Sequence, residues 1–286
     1  MDTPTQVPDS QLLAAARGGD ARSLETLLER HQAQVYRFGM RMCRDPEDAR
    51  DVLQDTLLAM ARNVRDFRGA SSISTWLYTI ARSFCIKKRR RSKFAPEREQ
   101  SLDTDAAPDA ERLADPALGA EETLAGKQVR EALERGIRAL EPIYREVLLL
   151  RDVEGLTAPE VSEVLGVSVS AVKSRLHRAR LSVRAHVAPL LGVPAEPAAA
   201  ASGTCPDVLM LFSRHLENEI SAEVCADMER HVESCARCRG ACDSLKRTLA
   251  LCRAGPPARV PAAVQDSVRV ALRNFLAEPP PGERAR

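Results

Sequence analysis

The stretch TAPEVSEVLGVSVSAVKSRLHRAR, residues 157–180, holds the parts of two short helices and the turn between them in consecutive order. Thr157 can cap the first helix, and Glu160, three residues on, can return a bond to the cap's own N–H, which makes a capping box. Val161, Val164 and Leu165 give that helix an apolar face, and Gly166 supplies the sharp turn after it. Ser168 then caps a second helix whose apolar stripe is Val169, Val172, Leu176, Ala179 and Val183. With that stripe turned inward, Ser170, Lys173, Ser174, His177 and Arg178 lie on the outward side. Hydroxyls and cations near the start of such a helix suit base edges and phosphates in a DNA major groove, His177 serving as a phosphate or solvent contact. Cap, turn, stripe and charge agree on a helix-turn-helix rather than a plain helical hairpin.

The same period extends through most of the chain. Leu24, Leu27, Leu28, Val35, Phe38 and Met42 form one stripe, and Leu53, Leu57, Met60 and Val64 form another. The second of these helices starts cleanly, with Asp45 as cap, Pro46 at the first helical position and Asp48 three residues after the cap. No alternating pattern competes, so the predicted fold class is all-α. Further on, DFRGASSISTWLYTIARSFCIKKRRRSK (66–93) joins a polar, glycine-containing loop to a helix with Ile73, Leu77, Ile80 and Phe84 as its expected inner stripe. Lys87, Lys88, Arg89 and Arg90 belong to a basic run suited to phosphates, and Arg68 lies in the loop beside it. Phe67, Trp76 and Tyr78 lie near enough to the loop to stack on an unpaired base. Cys43 and Cys85 fall among core positions.

A chain of 286 residues with 44% hydrophobic residues is long enough for two or three cores. The net charge of +2 conceals a strong asymmetry: after the basic run, seven acidic residues between Glu97 and Asp115 face only Arg98 and Arg112. Low apolar periodicity marks linkers at 92–120 and 192–204. The expected organisation is a helical domain at 1–91, a flexible acidic linker, a helix-turn-helix domain at 121–191, a second linker, a cysteine-rich module at 205–254, and a short amphipathic helix with a disordered tail at 255–286. Aliphatic runs such as VLLL at 147–150 are far too short for a membrane span, and the N-terminus lacks the features of a signal peptide, so a cytoplasmic protein with no membrane partner is expected.

Six of the eight cysteines crowd into residues 205–252. In a reducing compartment such crowding points to metal or thiol chemistry rather than disulfides. In HVESCARCRGAC (231–242), His231, Cys235, Cys238 and Cys242 recur at offsets of four, three and four, which a continuous helix would carry on one face. Cys225, Cys242 and Cys252 are further candidate ligands or small buried hydrophobes. His215 could take the place of Cys205 as a ligand. Sulfur-rich donors admit zinc, cadmium and copper, with zinc or cadmium slightly favoured.

Two segments resemble a known family. EDARDVLQDTLLAM (47–60) followed by FRGASSISTWLYTIARS (67–83) is similar to region two of extracytoplasmic-function (ECF) RNA polymerase sigma factors, and LTAPEVSEVLGVSVSAVKSRLHRAR (156–180) is similar to their region four. The resemblance implies a bacterial initiation factor that binds core RNA polymerase and promoter DNA, region four reading a −35 element and region two opening a −10 element. Carried onto this chain, it places Asp48, Asp51, Gln54 and Asp55 against the polymerase and the loop 67–74 around a flipped base. It sends the acidic linker toward the RNA exit channel. It implies no enzyme, since polymerase performs the chemistry. The His-x3-Cys-x2-Cys spacing, with Cys205 upstream, resembles the zinc-binding fold of anti-sigma factors, which implies Cys205, His231, Cys235 and Cys238 as metal ligands. A sigma factor that carries such a module resembles the CorE-like metal-responsive group, which implies control by metal in cis without a separate anti-sigma protein. Two other readings stand beside it: a purely structural zinc module, and a thiol-redox or metal-sequestering DNA-binding protein.

Overall fold

The computed structural model describes residues 7–43, 45–67, 69, 71–94, 124–195, 205–254 and 260–277. Twelve α-helices and no strand occur among them. Their contacts divide the chain into two compact units, one formed by residues 1–102 with 257–286 and the other by 103–256. Among the described residues, no helix is long and apolar enough to cross a membrane.

The first unit contains α1 (Asp9–Arg17), α2 (Ala21–Cys43), α3 (Pro46–Asn63), α4 (Ile73–Phe94) and the C-terminal helix α12 (Ala262–Ala277). Local chemistry sets the helix starts. Asp45 accepts from the N–H groups of Glu47 and Asp48, and Ser72 accepts from that of Thr75. Each such cap is worth about 1 kcal/mol. Both stripes expected on α2 and α3 are buried, including Leu27, Val35, Phe38, Leu53 and Met60. Gly39 lets these helices approach closely: a Cβ there would stand 3.4 Å from the Ala49 backbone. On α4 the stripe is displaced. Leu77, Tyr78, Ala81 and Cys85 are the buried set, while Ile80 and Phe84 are only half-buried. Tyr78 packs on Phe38 with ring centroids 5.3 Å apart, so the aromatic assigned above to base stacking is a core residue. A helix packed on two neighbours at once needs a wider apolar face, and its centre here falls one position later than the spacing alone suggested.

Helix α12 lies against α3. Its Val264, Val268 and Leu272 are buried, and Gln265, Val268, Arg269 and Leu272 share a cleft with Leu28 of α2 and Leu57 of α3. Arg62 of α3 caps the Phe275 ring at 5.5 Å. The amphipathic pattern after Pro261 thus has its partner surface in the N-terminal bundle.

The second unit contains α5 (Leu124–Ala139), α6 (Pro142–Leu148), α7 (Ala158–Leu165), α8 (Val169–Val187), α9 (Val208–His215), α10 (Ala222–Ser234) and α11 (Ala236–Arg253). The capping box of Thr157 and Glu160 is formed, Ser168 caps α8 through the Ala171 N–H, and Gly166 takes the left-handed conformation at φ 67°. Helix α6 runs into a π-helical turn, Leu149–Val153, which buries Asp152. The cysteine-rich helices pack on the helix-turn-helix itself: Val208, Leu209, Cys242, Leu245 and Leu249 form a cluster, and Leu181 of α8 is packed against it.

Candidate functional site

Helix α8 presents its outward residues unequally. Ser170, Ser174 and Arg178 are exposed, and Arg178 also donates to the Tyr144 hydroxyl at 3.3 Å. Lys173 and His177 are held by the module. The Lys173 ammonium donates to the Glu217 carbonyl at 2.8 Å and stands 3.7 Å from the Glu219 carboxylate. His177 is buried, with Nδ1 2.8 Å from the Ser213 hydroxyl and Nε2 2.6 Å from the Glu219 carboxylate. In this arrangement His177 therefore meets neither phosphate nor solvent; it faces another helix of the same unit and the turn that follows it. The cause is the turn after α9, which the linear pattern of α8 could not reveal.

One turn further, Arg180 is buried between Asp152 of the π-helical turn and Glu217. Its Nη2 lies 2.7 Å from one Asp152 oxygen and 2.8 Å from Glu217, and its Nε lies 2.8 Å from the other Asp152 oxygen. Burial disfavours the guanidinium charge, but the two carboxylates outweigh it and the net shift raises the Arg180 pKa. Arg151 reaches the same Glu217 at 3.3 Å. Removing one partner from a buried charge set of this kind typically costs about 3–5 kcal/mol, so the network fixes how the module sits on α8. Arg184 donates to the Ser244 hydroxyl and to the carbonyls of Pro194 and Ala195. These residues were not among the sequence candidates. A signal existed nonetheless, because Arg180 and Arg184 fall on the same side of the helix as Leu176 and Val183, and an arginine on an inner stripe implies a buried partner.

The second element is a metal-ligand constellation. Cys205, His231, Cys235 and Cys238 bring their ligand atoms within 4.8 Å of one another. The 231–242 stretch is not one helix: α10 ends at Ser234, Cys235 is extended at φ −116°, and α11 starts afresh. That break folds the spacing into a knuckle. The Cys238 N–H, together with the thiols of Cys238 and Cys205, holds Cys235 below the ordinary thiol range, whereas burial and the thiols of Cys235 and Cys205 push Cys238 up to about 12. A cation would remove that mutual penalty, and three sulfurs with one imidazole are a donor set for tetrahedral zinc. Cys242 stands outside the cluster, in the core near the Val208 carbonyl, where burial pushes its thiol up to about 11. Cys252 is also buried. Of the two readings open for these thiols, ligand or small buried hydrophobe, their positions match the second, since core packing on α11 occupies both. His215 does not replace Cys205; its Nδ1 lies 3.3 Å from the Cys225 sulfur.

In the first unit, Phe67 and Trp76 stack on each other at 4.6 Å, with Phe67 largely buried and Trp76 half-buried. Arg68 lies outside the described residues. Lys88 pairs with both Asp48, at 3.4 Å, and Asp51. Thus one residue expected at DNA and two expected at polymerase hold one another. Lys87 lies 5.1 Å over the Phe84 ring, while Arg89 and Arg90 are exposed. Asp55 is exposed, and partial burial of its carboxyl together with the Asp51 charge raises its pKa. Most of the acidic linker lies outside the described residues.

Comparison with known families matches Sigma-70 region 2 over residues 27–95, Sigma-70 region 4 over 130–183, and a zinc-finger family over 205–239. The ECF RNA polymerase sigma factor SigM of Mycobacterium tuberculosis H37Rv is 32% identical over 184 residues, which cover 64% of this chain and 85% of that protein. The chain belongs to the ECF sigma factors. The RNA polymerase sigma-H factor of Pseudomonas aeruginosa is 30% identical over 192 residues, or 65% of this chain and 97% of that one. A solved complex of CnrH with the cytosolic domain of CnrY is similar over 62% of this sigma factor and 95% of the matched chain, at 26% identity and a TM-score of 0.45. Sigma factors are transcription factors that bind core RNA polymerase and promoter DNA, and this one carries a zinc-finger domain after region 4.

Proposed function

We propose that this sigma factor directs core RNA polymerase to its promoters in the cytoplasm under control of its own C-terminal module, which takes the place of a separate anti-sigma protein. In the closed arrangement, the Glu217 carbonyl and the Glu219 carboxylate occupy Lys173, and Glu219 also holds His177, two side chains of α8 that would otherwise meet −35 DNA. The observation that carries this reading is the pair of contacts made by Glu219, on His177 and Lys173. A carboxylate there competes directly with phosphate for the same side chains. Because module and helix share a chain, their effective concentration is roughly millimolar, and a weak contact suffices.

The four-ligand knuckle gives the module its fold. Zinc suits it best; cadmium and copper are the other metals its donors admit. A closed set of three sulfurs and one imidazole resembles a structural site, so this metal maintains the clamp on α8. On the DNA side we assign Ser170, Lys173, Ser174, His177 and Arg178 to the −35 element, and Phe67, Arg68, Trp76, Lys87, Arg89 and Arg90 to the −10 element. Asp48, Asp51, Gln54 and Asp55 face polymerase. Lys88 joins one group or the other only after leaving its aspartate partners.

Glu219→Gln tests the clamp. It removes the carboxylate from His177 and Lys173 but leaves Arg180 with Asp152 and Glu217. Promoter-specific transcription with core polymerase in vitro should rise about five- to tenfold, at unchanged metal content, which corresponds to about 1–1.4 kcal/mol of lost clamp energy. Unaltered transcription together with unaltered DNA affinity would overturn the reading.

A further inference from the structure

A closed knuckle that holds a fold together is poorly placed to sense a passing metal, and the module contains a second, open group of ligand atoms. Cys225 is half-exposed near the start of α10. Its sulfur lies 3.3 Å from Nδ1 of His215, the last residue of α9, and 3.6 Å from a carboxylate oxygen of Glu229, one turn along α10. For a tetrahedral zinc ion with Zn–S near 2.3 Å and Zn–N or Zn–O near 2.1 Å, adjacent donor atoms stand about 3.6 Å apart. The group therefore has two edges of near-tetrahedral length among thiol, imidazole and carboxylate. Within the knuckle itself, His231 Nε2 and the Cys238 sulfur stand 3.2 Å apart.

We propose that His215, Cys225 and Glu229 form a second metal site, for an exchangeable zinc- or cadmium-class divalent cation, and that this site is the sensor. The proposal rests on the clamp described above and adds its trigger. Three protein ligands leave a coordination position to water, which marks an open, exchangeable site rather than a closed one. Binding replaces the Cys225 S–H bond with a sulfur–metal bond and releases that proton to solvent; no electrons move.

The coupling to α8 is short. Two residues after His215 comes Glu217, and two after that Glu219, which are the carboxylates that hold Arg180, Lys173 and His177. The turn carrying them hangs on the end of α9: the Asn218 N–H donates to the His215 carbonyl and the Glu219 N–H to that of Arg214, each at 3.0 Å. Asn218 is left-handed at φ 54°, alone in this among the described non-glycine residues. Asparagine tolerates that conformation better than most residues.

The direction follows from what is incomplete. Among the described residues, only the four-ligand knuckle has all its ligand atoms within 4.8 Å of one another. Cys225 and Glu229 sit on one helix and His215 ends another, so the edge still to close on an ion lies between His215 and Glu229, and in the proposed site it closes by drawing in the end of α9. Metal consequently binds better to an arrangement in which the end of α9 has shifted, and by linkage favours release of Glu217 and Glu219 from α8.

The test uses the full, reduced protein with its knuckle loaded with zinc. Cadmium is added while thiolate-to-cadmium absorption, bound metal and the affinity for duplex DNA are followed. We expect wild type to bind a cation beyond the knuckle's own, with absorption for a single added thiolate and roughly tenfold tighter DNA binding. Cys225→Ser and His215→Gln should each lose the added cation and the DNA response while retaining the knuckle metal. The proposal is overturned if wild type takes up no cation beyond the knuckle's, if both variants keep it, or if it binds without changing DNA affinity. Glu219→Gln, assayed without cadmium, reports on the clamp separately, so failure of the sensor is distinguishable from failure of the clamp.

Discussion

Asp55 illustrates how a single residue can be kept at a cost. Partial burial of its carboxyl and the nearby charge of Asp51 raise its pKa above 3.8, the ordinary value for aspartate. A carboxyl whose pKa is higher folded than unfolded destabilises the fold whenever it is ionised. The penalty is fully present above the raised folded value and disappears as pH falls below the ordinary one. Asp55→Asn should therefore raise the melting temperature at pH 7 and have little effect below pH ~4. Thermal unfolding of both proteins across pH 3–8 checks the sign; a variant less stable at neutral pH would mean that Asp55 makes a compensating contact. If Asp55 meets polymerase as proposed, the more stable variant should also initiate transcription less well. His177 and Lys173 show the complementary case, in which two residues suited to DNA are occupied by a single carboxylate of the same unit, that of Glu219.

At the scale of the element, α12 depends on its neighbour. A sixteen-residue helix is marginal alone in water, and the buried line of Val264, Val268 and Leu272 is what α3 and α2 stabilise. Leu272→Ala should remove about 2 kcal/mol of that docking free energy. Hydrogen exchange of the α12 amides should then accelerate by more than tenfold, with the knuckle metal unchanged. Slow exchange in the variant would show that α12 is held by something other than this apolar line. Because Leu57 and Arg62 lie on the helix that also carries Gln54 and Asp55, a released α12 should leave α3 more open to polymerase. Helix α11 is the opposite case: its Cys242, Leu245, Leu249 and Cys252 are buried with the rest of its inner face, so two of the additional thiols contribute packing volume rather than ligands.

For the whole molecule, the two units should respond differently to loss of metal. If the four-ligand knuckle holds a cation as proposed, so small a module should depend on it for folding, and stripping the ion with a strong chelator should unfold α9–α11. The bundle of α1–α4 should remain helical, and α8 should lose its clamp and bind duplex DNA more tightly. Circular dichroism, hydrogen exchange and DNA binding on the same sample measure all three; a chelated protein that keeps α9–α11 protected would show that the knuckle is dispensable for the fold. Much of this architecture can be read from local chemistry alone. Caps at Asp45, Thr157 and Ser168, the turn at Gly166, the stripes of α2 and α3 and the His-x3-Cys-x2-Cys spacing each depend on residues a few positions apart, and short-range geometry needs no knowledge of the rest of the chain. What the sequence could not reveal involves residues far apart. The pairing of Arg180 with Asp152 and Glu217, the cover over His177, the seat of α12 on α3 and the meeting of His215 with Cys225 all depend on which faces come together. Two apolar faces can meet in many registers with similar gain, because hydrophobic burial is non-directional; only the assembled tertiary structure, with its buried charges matched, selects one.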